Sequence, residues 1–153
     1  MSAERGEVMD VSVEQSFLDA FRGSFTSVMR WPQLDEFWSR FKSQVDDGWY
    51  IYAVGEAPPE HPSKQQDVLT FISEVDALLR REHEEDYCGI VYADHQQTPG
   101  FIKIFDPNNL GVTCGFSEKP PLPGWILSRI PPIELEPALY PKNRQHWWQK
   151  IFK

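Results

Sequence analysis

Residues 100–115 read GFIKIFDPNNLGVTCG, and this run indicates the fold more clearly than any other part of the chain. It begins with the alternating pattern that is typical of a β-strand. The Asp-Pro-Asn-Asn stretch at 106–109 then supplies side chains that favour a turn. A second apolar stretch follows, with a glycine at each end. The sequence therefore predicts a β-hairpin or a bulged strand pair here.

Other short apolar runs extend this pattern into a sheet. Strands are predicted at 49–54, 87–92, 101–105, 112–116 and 125–130. Most of these runs are joined by short links, and short links favour antiparallel neighbours because parallel strands need a long crossover. We therefore expect a mostly antiparallel sheet.

Helices are predicted wherever apolar residues recur at intervals of three and four. The first follows Ser12, which forms a possible capping box with Gln15, and the second runs from about 32 to 46. The third and longest follows Ser63, with Gln66 in the matching position. The predicted fold class is α+β, with N-terminal helices and one long amphipathic helix packed on the antiparallel sheet.

The size of the chain, 153 residues of which 41% are apolar, suits a single domain with a full core. Its ends, 1–11 and 131–153, are expected to be loosely ordered tails. No run approaches the roughly 20 apolar residues of a membrane helix. The N-terminus lacks the basic and apolar regions of a signal peptide. The sequence therefore predicts a cytoplasmic protein.

The net charge of −8 is unevenly distributed along the chain. Residues 1–118 carry 21 acidic and 9 basic side chains, a balance of −12, whereas residues 119–153 carry 2 and 6, a balance of +4. An acidic body is unsuited to nucleic acid, whose phosphates require clustered Lys and Arg. It suits a basic protein partner, although an acidic composition also serves solubility.

Candidate catalytic and metal-binding residues do not form a recognisable pattern, so we predict no enzyme, no cofactor and no metal. The cluster at 82–86 contains His83 and four carboxylates, but consecutive helical residues do not face one point. Cys88 with His83 or His95 lacks the surroundings of an activated nucleophile. Cys88 and Cys114 are expected to be small core residues, and a disulfide between them is left open.

The C-terminal residues 142–153, KNRQHWWQKIFK, combine Trp, Phe and basic side chains. Such a segment can contact an anionic membrane surface or dock on the acidic body of its own fold. It supports an alternative hypothesis, in which the protein is a non-enzymatic cytosolic adaptor or a peripheral membrane protein acting through this tail.

Several motifs resemble one protein family, and the similarity extends over residues 24–130. They are RWP at 30–32, GWYIY at 48–52, EDYCGIVY at 85–92, FIKIFDPNNLG at 101–111 and PGWILS at 123–128. Together they resemble immunity proteins of bacterial contact-dependent growth inhibition systems.

This resemblance implies a cytoplasmic antidote. Such a protein binds the C-terminal toxin domain of a cognate effector in a one-to-one complex and blocks it. Many of these toxins are nucleases with basic surfaces. An acidic partner would therefore gain association rate by electrostatic steering.

We predict that two acidic groups bind the partner. The first, which ends the long helix, is Glu82, Glu84, Glu85 and Asp86. The second, around the first predicted strand, is Asp46, Asp47, Glu56 and Glu60. Acidic residues at a helix C-terminus oppose the helix dipole, and we interpret that local cost as one tolerated for binding.

Overall fold

The computed structural model describes residues 14–85, 88–107 and 122–135, which form an α+β fold with three helices and a five-stranded antiparallel sheet. The helices are α1 (14–21), α2 (Trp31–Gln44) and α3 (Gln65–Glu82). The strands are β1 (Thr26–Ser27), β2 (Tyr50–Ala53), β3 (Val91–Ala93), β4 (Phe101–Ile104) and β5 (Trp125–Ser128). The predicted fold class is thus confirmed.

The start of α3 differs from the prediction. Ser63 does not cap it; the residue before the helix is Lys64, which makes no side-chain capping bond. The carboxylate of Asp47 instead accepts a hydrogen bond of 2.7 Å from the backbone N–H of Gln65. An acceptor from a distant segment thus satisfies an N–H that the helix itself leaves unpaired. The other predicted cap, Ser12, lies outside the described residues.

The strand order is β1-β3-β4-β5-β2, and every neighbouring pair is antiparallel. β4 is central: Ile102 lies opposite Ala93 of β3 on one side and Leu127 of β5 on the other. The predicted pairing of 101–105 with 112–116 is therefore wrong for this sheet, because a strand has only two edges. Residues 112–116 themselves lie outside the described part of the chain.

Helices cover both faces of the sheet. In β5, Trp125 and Leu127 belong to the core between the sheet and the α2–α3 pair. Ile126 belongs to a second core beneath α1. All four residues of β5 are buried. This explains why the strand is almost continuously apolar, although antiparallel strands with one wet face usually alternate.

Residues 131–135, predicted as the start of a loose tail, belong to the packed structure. Leu135 is 6% exposed, and Ile133 packs against the same second core. The backbone N–H of Leu135 also donates to the hydroxyl of Tyr52, at 3.3 Å. The rest of that tail and the predicted tail at 1–11 lie outside the described residues.

Lys103 lies on the central strand β4, where its side chain is half-buried. Its ammonium group donates a 2.6 Å hydrogen bond to the carbonyl of Phe21, at the end of α1. It also lies 4.1 Å from the ring centre of Phe21 and 3.9 Å from that of Phe25. Burial lowers the pKa of Lys103 to about 8. Lys103 therefore fixes α1 to the sheet.

Candidate functional site

The antiparallel packing of α2 and α3 separates the two predicted acidic groups. At one end, the Trp31 indole N–H donates to the backbone carbonyl of Glu85, at 3.0 Å. At the other end, Asp47 bonds to Gln65. Since α3 has 18 residues, these ends lie about 27 Å apart along its axis. The groups cannot form one continuous patch.

The first group lies at an open cavity of about 380 Å³. We call this region the acidic end; it is lined by Trp31, Arg80, His83, Glu84 and Glu85. Glu84 and Glu85 are exposed. Their carboxylates make no hydrogen bond or ion pair with another described residue, so both charges are open to solvent.

The other two members of the first group differ. Glu82 is only partly exposed, and its carboxylate lies 3.6 Å from the guanidinium of Arg81. Asp86 lies outside the described residues. The structure therefore places two of the four predicted carboxylates, those of Glu84 and Glu85, where a partner can reach them.

Bonds to the neighbouring chain segments hold the acidic end in place. His83 closes the last turn of α3, its N–H donating to the carbonyl of Leu79 at 2.9 Å. Its ring Nε2 is 2.9 Å from the carbonyl oxygen of Cys88. The Trp31 ring lies beside that of His83, with the ring centres 6.1 Å apart. Two of the residues that line the cavity, Trp31 and His83, are thus tied to neighbouring segments.

The helix dipoles revise our electrostatic argument for this group. The N-terminal end of α2, with Trp31 in its first turn, lies against the C-terminal end of α3. Its partial positive charge offsets the unfavourable placement of acidic residues at the end of α3. The first turn of α2 has no acidic residue of its own. The packing of α2 therefore reduces the unfavourable interaction between these acidic residues and the dipole of α3. That interaction does not support a binding role.

In the second group, Asp46 and Asp47 already bond to other residues of the protein. The guanidinium of Arg129 forms two bonds with the carboxylate of Asp46, at 3.0 and 3.2 Å. The same carboxylate accepts a bond of 2.8 Å from the N–H of Gly48. These two partners, with the Arg129 bond first, lower the pKa of Asp46. A Cβ at Gly48 would lie 3.0 Å from the guanidinium and 3.1 Å from the carboxylate, so glycine gives this pair room.

The remaining members are held to different extents. Asp47 is bonded to α3, as described above. Glu56 is partly buried in the turn after β2, where its N–H donates to the carbonyl of Ala53. Glu60 is exposed in the following loop. The structure brings Asp46 and Asp47 together at the start of β2, but both serve the fold.

A second cavity, of about 340 Å³, lies between α2 and α3 along their length. Its carboxylates, those of Asp35 and Asp76, both pair with Arg80, at 2.6 and 2.9 Å. Lys42 also lines this cavity. Its charge is therefore balanced internally, in contrast to that of the acidic end.

Cys88 and His83 are neighbours, but they are not arranged as a nucleophile and its base. The ring of His83 contacts the Cys88 carbonyl oxygen. The Cys88 thiol is buried and forms no disulfide within the described residues, and burial raises its pKa. A thiol with a raised pKa is poorly nucleophilic. Its pairing with Cys114 is not described, because Cys114 lies outside the described residues.

In the ranges 14–85, 88–107 and 122–135, no three His, Cys, Asp or Glu residues are grouped so as to hold a metal ion. No helix in these ranges is long and apolar enough to cross a membrane. The Trp-rich segment 142–153 lies outside them, so the hypothesis that it acts as an anchor or adaptor stays a prediction.

Sequence reasoning missed the apolar part of this surface. The three- and four-residue spacing of apolar residues in α2 predicts that Trp31 is in the core, yet it is only partly buried, at the acidic end. Met29, two residues earlier, is 49% exposed. A methionine just before a helix stripe carried no signal of exposure. Only the position of Trp31 in the first turn of α2 indicates that it lies at an end of that helix.

The chain was also compared with known proteins. No protein-family model, curated protein or solved structure matches it.

Proposed function

We propose that this protein is a cytoplasmic immunity protein that binds and neutralises the C-terminal toxin domain of a cognate contact-dependent growth inhibition effector. The observation that carries the proposal is the acidic end, where Glu84 and Glu85 stand exposed beside an open cavity. The resemblance of the motifs at 101–111 and 123–128 to this family also supports the proposal.

The chemistry of the acidic end fits a basic protein. Two exposed carboxylates on a chain of net charge −8 attract a positively charged surface and accelerate its association. A nuclease is a suitable toxin, because its substrate surface carries the positive charge that binds phosphate. An immunity protein seated on that surface blocks it without performing chemistry of its own. In this proposal the protein is not an enzyme and needs no cofactor.

The test is co-expression with the C-terminal domain of the protein encoded directly upstream, which this proposal identifies as the toxin domain, followed by co-purification and measurement of the complex mass. The proposal predicts a one-to-one complex that survives size-exclusion chromatography. As a control, the same toxin domain is expressed with an unrelated acidic protein of similar size, which should not co-purify. Absence of a complex with a folded toxin domain would contradict the proposal.

A further inference from the structure

Met29 differs from every other large apolar residue that the structure describes. At 49% exposure, it is the one large hydrophobic side chain in the ranges 14–85, 88–107 and 122–135 that is exposed. A single exposed apolar residue is common on protein surfaces and needs no explanation by itself. Its position is what makes it informative.

The backbone at Met29 is fixed next to the acidic end. The carbonyl of Met29 accepts a 2.6 Å bond from the N–H of Cys88, and the carbonyl of Val28 accepts one from Gly89. The carbonyl of Cys88 in turn contacts the ring of His83, which lines the cavity. Met29 is therefore connected to the acidic end by two successive contacts.

Trp31, two residues further along the chain, supplies a second apolar group at the acidic end itself. One side of its ring is covered by Arg80, whose guanidinium carbon lies 4.9 Å from the ring centre. The ring remains partly exposed and lines the open cavity with Glu84 and Glu85. An apolar centre of Met and Trp within a charged rim has the composition of a protein interface, where these residues and Arg are enriched.

We propose that Met29 and Trp31 form the apolar centre of the surface that docks the toxin domain, with Glu84 and Glu85 as its acidic rim. This inference rests on the proposed function. It further assigns the toxin a matching surface, in which basic side chains surround an apolar residue. The flexible thioether of Met29 adapts to such a residue, while its bonded backbone keeps the position fixed.

Charge complementarity selects this occupant over two others. A second copy of the chain would bring two acidic ends together, and like charges at an interface oppose association. An anionic membrane would be repelled by Glu84 and Glu85 for the same reason. A basic protein surface is attracted by the rim and shields the apolar centre from water.

Two substitutions at Met29 test the proposal, with binding to the upstream-encoded toxin domain measured by surface plasmon resonance. Met29→Gln keeps the length of the side chain and removes its apolar character, and we expect the Kd to rise about tenfold, mainly through faster dissociation. Met29→Leu keeps the apolar character, and its Kd should stay within about threefold of the original. Thermal unfolding verifies that both variants are folded.

The outcomes separate this inference from the proposed function. Tight binding of the original protein with equal affinity for Met29→Gln would overturn the docking surface and leave the immunity role intact. Equal weakening by Met29→Gln and Met29→Leu would also overturn it, because apolar character would then be irrelevant. Failure of the original protein to bind the toxin domain would overturn both.

Discussion

At one end of the α2–α3 pair, Asp46 bonds to Arg129 and Asp47 bonds to the start of α3. At the other end, Glu84 and Glu85 are exposed, and their carboxylates bond to no other described residue. In the sequence the two groups look alike, since each is a short acidic run beside a helix end. The structure gives them different tasks. Asp46 and Asp47 stabilise the fold, whereas Glu84 and Glu85 are open to solvent.

This difference shows how to separate charges that fold a protein from charges that recognise another. A carboxylate with an intramolecular donor has already exchanged its hydration for that bond, so a partner gains less from it. An exposed carboxylate keeps its charge for the encounter. Variants at Asp46 and Asp47 should therefore affect stability more than binding. Variants at Glu84 and Glu85 should affect binding more than stability.

The largest effect is expected from reversing the charges at the acidic end. In the variant Glu84→Lys/Glu85→Lys, like charges would face the basic toxin, and we expect the Kd to rise about 100-fold with slower association. The melting temperature should change little, since neither carboxylate bonds within the described structure. Surface plasmon resonance and thermal unfolding measure the two quantities.

The matched control is Glu60→Lys, which reverses an exposed charge in the loop after β2. Its effect on affinity should be several-fold smaller than that of Glu84→Lys alone. Equal effects of the two single variants would mean that overall charge governs binding and that the acidic end has no special role.

The next largest effect concerns stability at the opposite end. Asp47→Ala removes the acceptor for the first N–H of α3, and we expect the free energy of unfolding to fall by about 1 kcal/mol. Asp47→Asn retains an oxygen acceptor and should lose less. Urea denaturation measures both variants, and their affinity for the toxin domain should match that of the original protein. A weakened complex with unchanged stability would mean that Asp47 contacts the partner and does not stabilise the fold.

Lys103 extends the comparison to a charge held inside the fold. Its pKa is lowered from 10.5 to about 8, so between these values the unfolded chain binds more protons than the folded one. The free energy of unfolding should therefore gain a contribution that rises with pH from about 8. Burial raises the pKa of Cys88 and of Tyr52, which gives contributions of the opposite sign above pH 9 and 10.

The measurement is therefore a difference between the original protein and Lys103→Met. Urea midpoints across pH 7 to 10 should rise more, or fall less, in the original protein than in the variant. Parallel pH profiles would show that the ammonium group is not held in the low-pKa site described here.

The smallest effect is expected at the exposed ion pair of Asp46 and Arg129. Arg129→Ala should lower the melting temperature slightly, because exposed pairs contribute little to stability. The affinity for the toxin domain should not change. A clear loss of affinity would mean that the end with Asp46 contacts the partner.

Local patterns in the sequence predicted most elements of this fold, except β1, and placed β3 at 87–92 instead of Val91–Ala93, but they did not predict which strands are neighbours. The apolar stripes of α2 and α3 and the runs at 101–104 and 125–128 each indicate an element by themselves. The choice of β5, rather than 112–116, as the neighbour of β4 depends on contacts between distant segments. The two-residue strand β1 is too short to give a periodic signal.

The roles of individual charges could not be predicted either, because their partners lie far away in the sequence. Asp46 meets Arg129 across 83 positions of the sequence, and Lys103 meets the carbonyl of Phe21 across 82. A lysine in an alternating strand is ordinarily on the wet face, and no local pattern indicates that α1 covers it. The acidic run at the end of α3 was visible in the sequence, whereas the exposure of Met29 beside it was not.

The central claim is most directly tested by growth of cells that produce the toxin domain together with this protein. We predict that the original protein and Asp47→Asn restore growth, whereas Glu84→Lys/Glu85→Lys fails to do so although it accumulates to the same level. Cells that remain inhibited in the presence of the original, folded protein would contradict the immunity function. Restored growth with the charge-reversed variant would contradict the acidic end as its site.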